Sequence, residues 1–230
     1  MTFTKLSIPT LTLTTTALFA AWPSALAKRT LFTNAVVHTV SGPVHSPGFV
    51  LINGNTIKAT GPMDEQPDAG EAKVVNLKGQ HLFPGLIAPT TALGLVEIPA
   101  VRATVDTSEV GAYTPEVKSW LAINPDSELI PVARANGITH FLPIPQGGTV
   151  TGQSGLMATA GWGYEEMLRH SPVALHLFWP SMRINPAADD AKKQAKQRDE
   201  RLKKIDDFFE EARAYAKSQS APGHEGVPAW

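Results

Sequence analysis

Apolar and polar positions first alternate in short bursts. Residues 31–40 (LFTNAVVHTV) are apolar and β-branched, a strand composition. A second run, Phe49-Val50-Leu51-Ile52, enters Asn53-Gly54-Asn55, and Thr56-Ile57-Lys58-Ala59 leaves it. Asn-Gly between two such runs predicts a tight hairpin whose central residues both accept positive φ. Gly61-Pro62 closes this group. Residues 63–71 are polar, with Pro67 and Gly70, and predict a loop. Lys73-Val74-Val75-Asn76-Leu77 reads as another short strand, and Lys78-Gly79 turns the chain into His81-Leu82-Phe83. Short strands punctuated by turns predict a small β-sandwich over residues 28–83.

From Pro84 the texture changes. Gly85-Leu86-Ile87 predicts a compact buried strand. Residues 126–136 predict a helix, with Asn124 as its cap, Pro125 at its first position and Gly137 as its stop. Pro131 inside it should kink the helix, or restart it so that only the second half is regular. Residues 138–144 (ITHFLPI) and 173–179 (VALHLFW) read as strands, with the glycine-rich loop Gln146-Gly147-Gly148 between them. Strand, helix, strand order predicts parallel β/α units over residues 84–188. Residues 189–218 carry the clearest helical period. Their first half is charged or polar. In the second half Leu202, Ile205, Phe208, Phe209, Ala212 and Tyr215 form an apolar stripe that should dock on the body. The stretch from Ala221 reads as a linker, so residues 189–230 form an amphipathic helix and tail.

Composition narrows the class. Formal net charge is −1, which gives neither a basic field for nucleic acid nor a polybasic membrane patch. Without cysteine there are no disulfides, thiolate metal sites or cysteine nucleophiles. The seven histidines are dispersed, and no two form an HxH or HxxxH pair. Residues 1–27 carry Lys5, an apolar threonine-rich stretch and Ala25-Leu26-Ala27, the pattern of a cleaved export signal. The expected location is periplasmic or secreted, with no stable membrane span after cleavage.

Three stretches carry a family resemblance: LINGNTIKATGP followed by VVNLKGQHLFPGLIAP, the segment beginning TALGLVEIPAVRATVDTSEVGAYTPEVKSW, and the loop IPQGGTVTGQSGLM. Together they resemble the amidohydrolase superfamily, a metal-dependent hydrolase group, and especially its imidazolonepropionase-like branch. The resemblance implies an N-terminal β-sandwich followed by the first β/α units of an incomplete TIM-type barrel. It also implies hydrolysis of C–N bonds of amides or cyclic amides. The family pattern PGLIDxHxH places two imidazoles on one strand face, since residues two apart point the same way. Here Ala88 stands in place of the acid, and Thr90 and Ala92 in place of the histidines. The remaining family ligands come from later strands, so no metal ligand is carried over. A divalent metal such as zinc is expected only with residues beyond Trp230. A full barrel takes about 250 residues, and only two or three of its strands are visible, so the chain reads as truncated and inactive alone. The rest of the barrel, or an oligomer partner, is then needed to cover edge strands.

No catalytic residue is assigned. The expected substrate-binding residues are Thr90, near the end of the first barrel strand, and Gln146, Gly147, Gly148, Gln153 and Ser154, in a loop whose glycines let backbone N–H groups approach a ligand. For Thr90 simple volume filling is the competing reading, and for the loop a glycine turn without a ligand. Thr91 and Glu97 lie nearby. Asp106, Ser108 and Glu109 suit turn and cap duty better than acid–base work. GQSGL is half of GxSxG, with Leu156 where the second glycine belongs, so a Ser154 triad is not expected. His140 and His176 read as satisfied core histidines. Two other readings stay open: a non-catalytic periplasmic binding or scaffold protein that has lost the metal, and a form in which later His and Asp residues hold one metal without the HxH pair.

Overall fold

The computed structural model describes residues 29–186 and 190–220. The export segment and the tail from Ala221 lie outside them. Two compact units divide between Pro84 and Gly85.

The first unit is one five-stranded sheet. Its strands are β1 (Arg29–His38), β2 (Val44–Asn53), β3 (Thr56–Pro62), β4 (Lys73–Asn76) and β5 (His81–Leu82). The order is β3-β2-β1-β4, and β5 also pairs with β1. The hairpin forms where expected, with Asn53 opposite Thr56. Its central residues are Gly54 and Asn55, and of the two only Gly54 has positive φ (59°). That is the glycine-first demand of a II′-type turn, not the double demand expected of Asn-Gly. The sheet buries residues on both faces. Leu31, Phe49 and Leu51 pack with Met63, Ala69 and Ala72. Ala35, Val37 and Val50 pack with Leu77 and Leu82. Phe49 and Val50 point to opposite faces because strand side chains alternate. The expected two-sheet sandwich is therefore replaced, among the described residues, by a single sheet. The chain leaving β3 returns across one face as a loop and supplies the cover a second sheet would give.

The second unit holds β6 (Leu86–Thr91), α1 (Leu129–Ala135), β7 (Ile138–Pro143), β8 (Val150–Ala158), α2 (Tyr164–Met167), β9 (Leu168–Leu177) and α3 (Ala191–Gln219). The sheet order is β6-β7-β8-β9. β6 and β7 are parallel, joined across α1. β8 and β9 are antiparallel to their neighbours, which corrects the expectation of parallel units throughout. The cause is connection length. A parallel return takes a dozen or more residues. Only residues 144–149 separate β7 from β8, and only residues 159–167 separate β8 from β9, so the chain can only double back. α1 begins at Leu129, which puts Pro131 in the first turn, where a missing N–H costs nothing. This is the restart that the proline predicts.

The core of this unit gathers Leu95, Trp120, Ile123, Ile130, Phe141, Met157 and Met167. Leu95, Trp120 and Ile123 come from residues 92–128, which hold only two short 3-10 turns. Leu86 and Ile87, expected to be buried, are 60% and 57% exposed. Their strand pairs on one side only, with β7. α3 docks by its second half: Ile205 is buried and the Phe208 ring lies 5.4 Å from that of Tyr113. No described helix is long and apolar enough to cross a membrane.

Candidate functional site

Strands β6 and β9 occupy opposite ends of the second sheet's order, yet both reach one cavity of about 390 Å³. Thr90, Thr91 and Ala92 line it from the end of β6, and His176, Leu177 and Phe178 from the end of β9. Ile144 and Gln146, just after β7, complete the lining. The sheet is therefore rolled, not flat. Main-chain bonds hold the rim. Ile144 N–H donates to the Thr91 carbonyl (2.9 Å), Gln146 N–H to Thr107 (2.6 Å) and Phe178 N–H to Thr149 (2.8 Å). The Thr91 hydroxyl accepts from Leu93 N–H at 3.1 Å.

Of the expected site residues, Thr90 and Gln146 meet at this cavity. Gly147 and Gly148 serve a different approach. A Cβ on Gly147, whose φ is +97°, would stand 2.6 Å from Ser108 Cβ, and one on Gly148 would stand 2.9 Å from the Ala112 carbonyl oxygen. The glycines admit the chain's own 108–112 segment, which Thr149 N–H binds at Ala112 (2.7 Å). Gln153 and Ser154, read from the sequence as loop, lie within β8. Gln153 Nε2 donates to the Pro115 carbonyl at 2.8 Å, and its side chain lines another cavity with Tyr113 and Phe208. Ser154 is 0% exposed and contacts His176 Nε2 through its Oγ at 2.8 Å.

His176 is the residue that sequence reasoning set aside. Its bond to Ser154 makes it satisfied, as expected, but the residue also lines the cavity. Nothing in the sequence marks this, because it depends on the β8–β9 register: Ser154 faces Ala174, and His176 is its diagonal neighbour. Burial pushes the His176 imidazole below its ordinary value of 6.5, so the ring is neutral at physiological pH and works as a hydrogen-bonding group. The unfolded chain then holds the proton more tightly than the folded one, so this group's contribution makes stability rise with pH just below 6.5. Thermal melting between about pH 5 and 7 should show that slope in the parent and a smaller one in His176→Gln. An unchanged slope in the variant would assign it to other groups.

The remaining polar candidates sit elsewhere. The Glu97 carboxylate accepts from the Ser127 hydroxyl (2.9 Å) and Asn124 Nδ2 (3.4 Å), fastening the turn before α1. Asp106, Ser108 and Glu109 line a separate cavity of about 530 Å³ with Glu116 and Lys118. His140 Nδ1 lies 3.0 Å from the Thr139 hydroxyl. Among the described residues, no three His, Asp or Glu side chains converge as a metal cage would require. Ala88, Thr90 and Ala92 offer β6 no imidazole or carboxylate, so these residues do not fit a divalent ion.

No family model matches the chain, and no curated protein matches it. Solved structures do. The crystal structure of an amidohydrolase from Thermotoga maritima aligns with a TM-score of 0.69 and 27% identity, over 87% of this chain and 51% of that one. The chain thus spans about half of that relative's length. A second amidohydrolase (TM-score 0.28, 24% identity, 30% of this chain and 17% of that one) overlaps only locally. So does N-acetylglucosamine-6-phosphate deacetylase from Pasteurella multocida (TM-score 0.26, 22% identity, 46% and 30%).

Proposed function

We infer, from a chain that is amidohydrolase-like in sequence and fold, that it supplies part of a hydrolase scaffold acting on the C–N bond of a small amide or cyclic amide, in the periplasm or outside the cell. The observation that carries this reading is the 0.69 alignment with an amidohydrolase across 87% of the chain. Substrate, export and a partial TIM-type barrel are the proposal.

Within that proposal this chain's residues bind and orient. Gln146, Thr90 and Thr91 line the cavity and carry both donors and acceptors, which suits an amide group. Neutral His176 adds polarity without a charge. No hydrolytic step is routed through residues 88–92, whose side chains cannot hold the family's cation. Supporting a scaffold role, β6 leaves one edge unpaired, with Leu86 and Ile87 exposed. Further barrel strands, or an oligomer partner, would cover it.

The test is an assay of the protein encoded by the full genomic reading frame, against a panel of small linear and cyclic amides with divalent metals supplied. Turnover is expected, and Gln146→Ala should raise KM by roughly tenfold, the scale of one lost hydrogen bond. Ala88, Thr90 and Ala92 favour a second reading, a binding or scaffold protein of the same fold. Tight amide binding without turnover under any metal would establish that reading and end the hydrolase one.

A further inference from the structure

Two histidines of neighbouring strands meet at the surface of the first unit. His38 ends β1 and His81 opens β5. The strands are parallel with Val36 beside His81. His38, two residues beyond Val36, therefore projects from the same face. Its Nε2 stands 2.8 Å from Nδ1 of His81. The ring planes differ by 17° and the centroids are 5.1 Å apart. The rings thus meet edge to edge through one shared proton, one donating and the other accepting. Phe83 lies flat on His38, with centroids 4.1 Å apart and planes within 8°.

We propose that His38 and His81 form a two-imidazole site for a divalent transition-metal ion, Cu²⁺ by preference. Imidazole nitrogens bind such ions at about 2.0–2.1 Å. Two of them at right angles stand about 2.9 Å apart, and at the tetrahedral angle about 3.3 Å. The observed 2.8 Å is the hydrogen-bond distance of the metal-free pair, and it already holds the two nitrogens near the span of adjacent corners of a square-planar or tetragonal sphere, the geometry of Cu²⁺ and Ni²⁺. Both lone pairs must turn toward one point. In the hydrogen-bonded pair the two nitrogens face each other, so each ring turns by about 45° within their common plane to aim its lone pair at an ion on a square corner. The shared proton moves to the outward nitrogen of its own ring, so both imidazoles stay neutral and no proton is lost. No third His, Asp or Glu joins the pair among the described residues, and the remaining corners fall to water. With so few protein ligands, relative affinity follows the intrinsic order of the ions, Cu²⁺ above Ni²⁺ and Zn²⁺.

Titration of the whole protein with each metal salt, followed by calorimetry and, for Cu²⁺, electron paramagnetic resonance, tests the site. One Cu²⁺ should bind with nitrogen splitting from two imidazoles. His38→Gln and His81→Gln should each weaken it more than tenfold, since even losing a supporting partner costs about 10–100-fold. Melting of the metal-free variants checks that these surface changes leave the fold intact. In the parent, substoichiometric Cu²⁺ should broaden the imidazole resonances of His38 and His81 before those of the other histidines, a readout that needs no variant. Equal Cu²⁺ affinity in the variants, first broadening elsewhere, or a preference for zinc would each overturn the assignment.

Discussion

Phe141→Ala is expected to cost about 3–5 kcal/mol, read as a lowered urea midpoint by far-ultraviolet circular dichroism. Phe141 is 0% exposed and sits in the central core cluster of the second unit. β7 carries it between two partners, with Ala88 of β6 opposite on one side and Met157 of β8 on the other. The cost of such a truncation depends on how far the surroundings can collapse into the void. Here the walls include two strand ladders, whose hydrogen bonds fix the spacing, so collapse is limited and the upper part of the range applies. Against a typical stability of about 5–15 kcal/mol, this is roughly a quarter or more of the total. Val132→Ala, on the 58%-exposed outer face of α1, is the matched control and should change stability by about 0.5 kcal/mol or less. Similar losses in both variants would mean that Phe141 is not the keystone its burial indicates.

How much of this was legible beforehand depends on range along the chain. The β2–β3 hairpin, the late start of α1 and the whole of α3 follow from neighbouring residues: a glycine at a turn, a proline in a first turn, an apolar stripe at helical spacing. The antiparallel return of β8 is not legible in this way: residues 146–154 read as a glycine-rich loop, which leaves residues 145–172 open to a parallel crossover between the two strands read on either side. Residues 92–128 are a different case. They have no sustained period, and their path is set by β8, against which Tyr113 and Lys118 form isolated bridges to Val150 and Gln153. The candidate site is legible in the same proportion. Thr90 and Gln146 follow strands that the sequence announces. His176 reaches the same cavity only because the sheet rolls and β9 pairs with β8 in one register, and neither fact resides in any local stretch. The close backbone approach that Gly147 and Gly148 permit is taken up by the protein's own 108–112 segment.

Gly152 concentrates that demand, and Gly152→Ala is expected to cost on the order of 3 kcal/mol. Two penalties combine. The residue has φ +115°, where an L side chain is strained. An added Cβ would also stand 2.6 Å from the Val117 carbonyl oxygen and 2.7 Å from Val117 Cβ. Neither neighbour can yield cheaply. The Val117 carbonyl accepts Gln153 N–H at 2.7 Å, and Gln153 Nε2 binds the Pro115 carbonyl at 2.8 Å. To admit one methyl group the chain must lift residues 115–117 off β8 and break those bonds. Gly137→Ala separates the two penalties, because Gly137 has φ +87° and nothing within 4 Å of its would-be Cβ. It should lose only about 1–2 kcal/mol, the conformational part. Amide exchange supplies the local readout. Gln153 N–H should exchange markedly faster in Gly152→Ala and at its parent rate in Gly137→Ala. If the two variants lose equal stability and Gln153 stays protected in both, backbone strain is the whole effect and the close packing of residues 115–117 on β8 is not what requires a glycine.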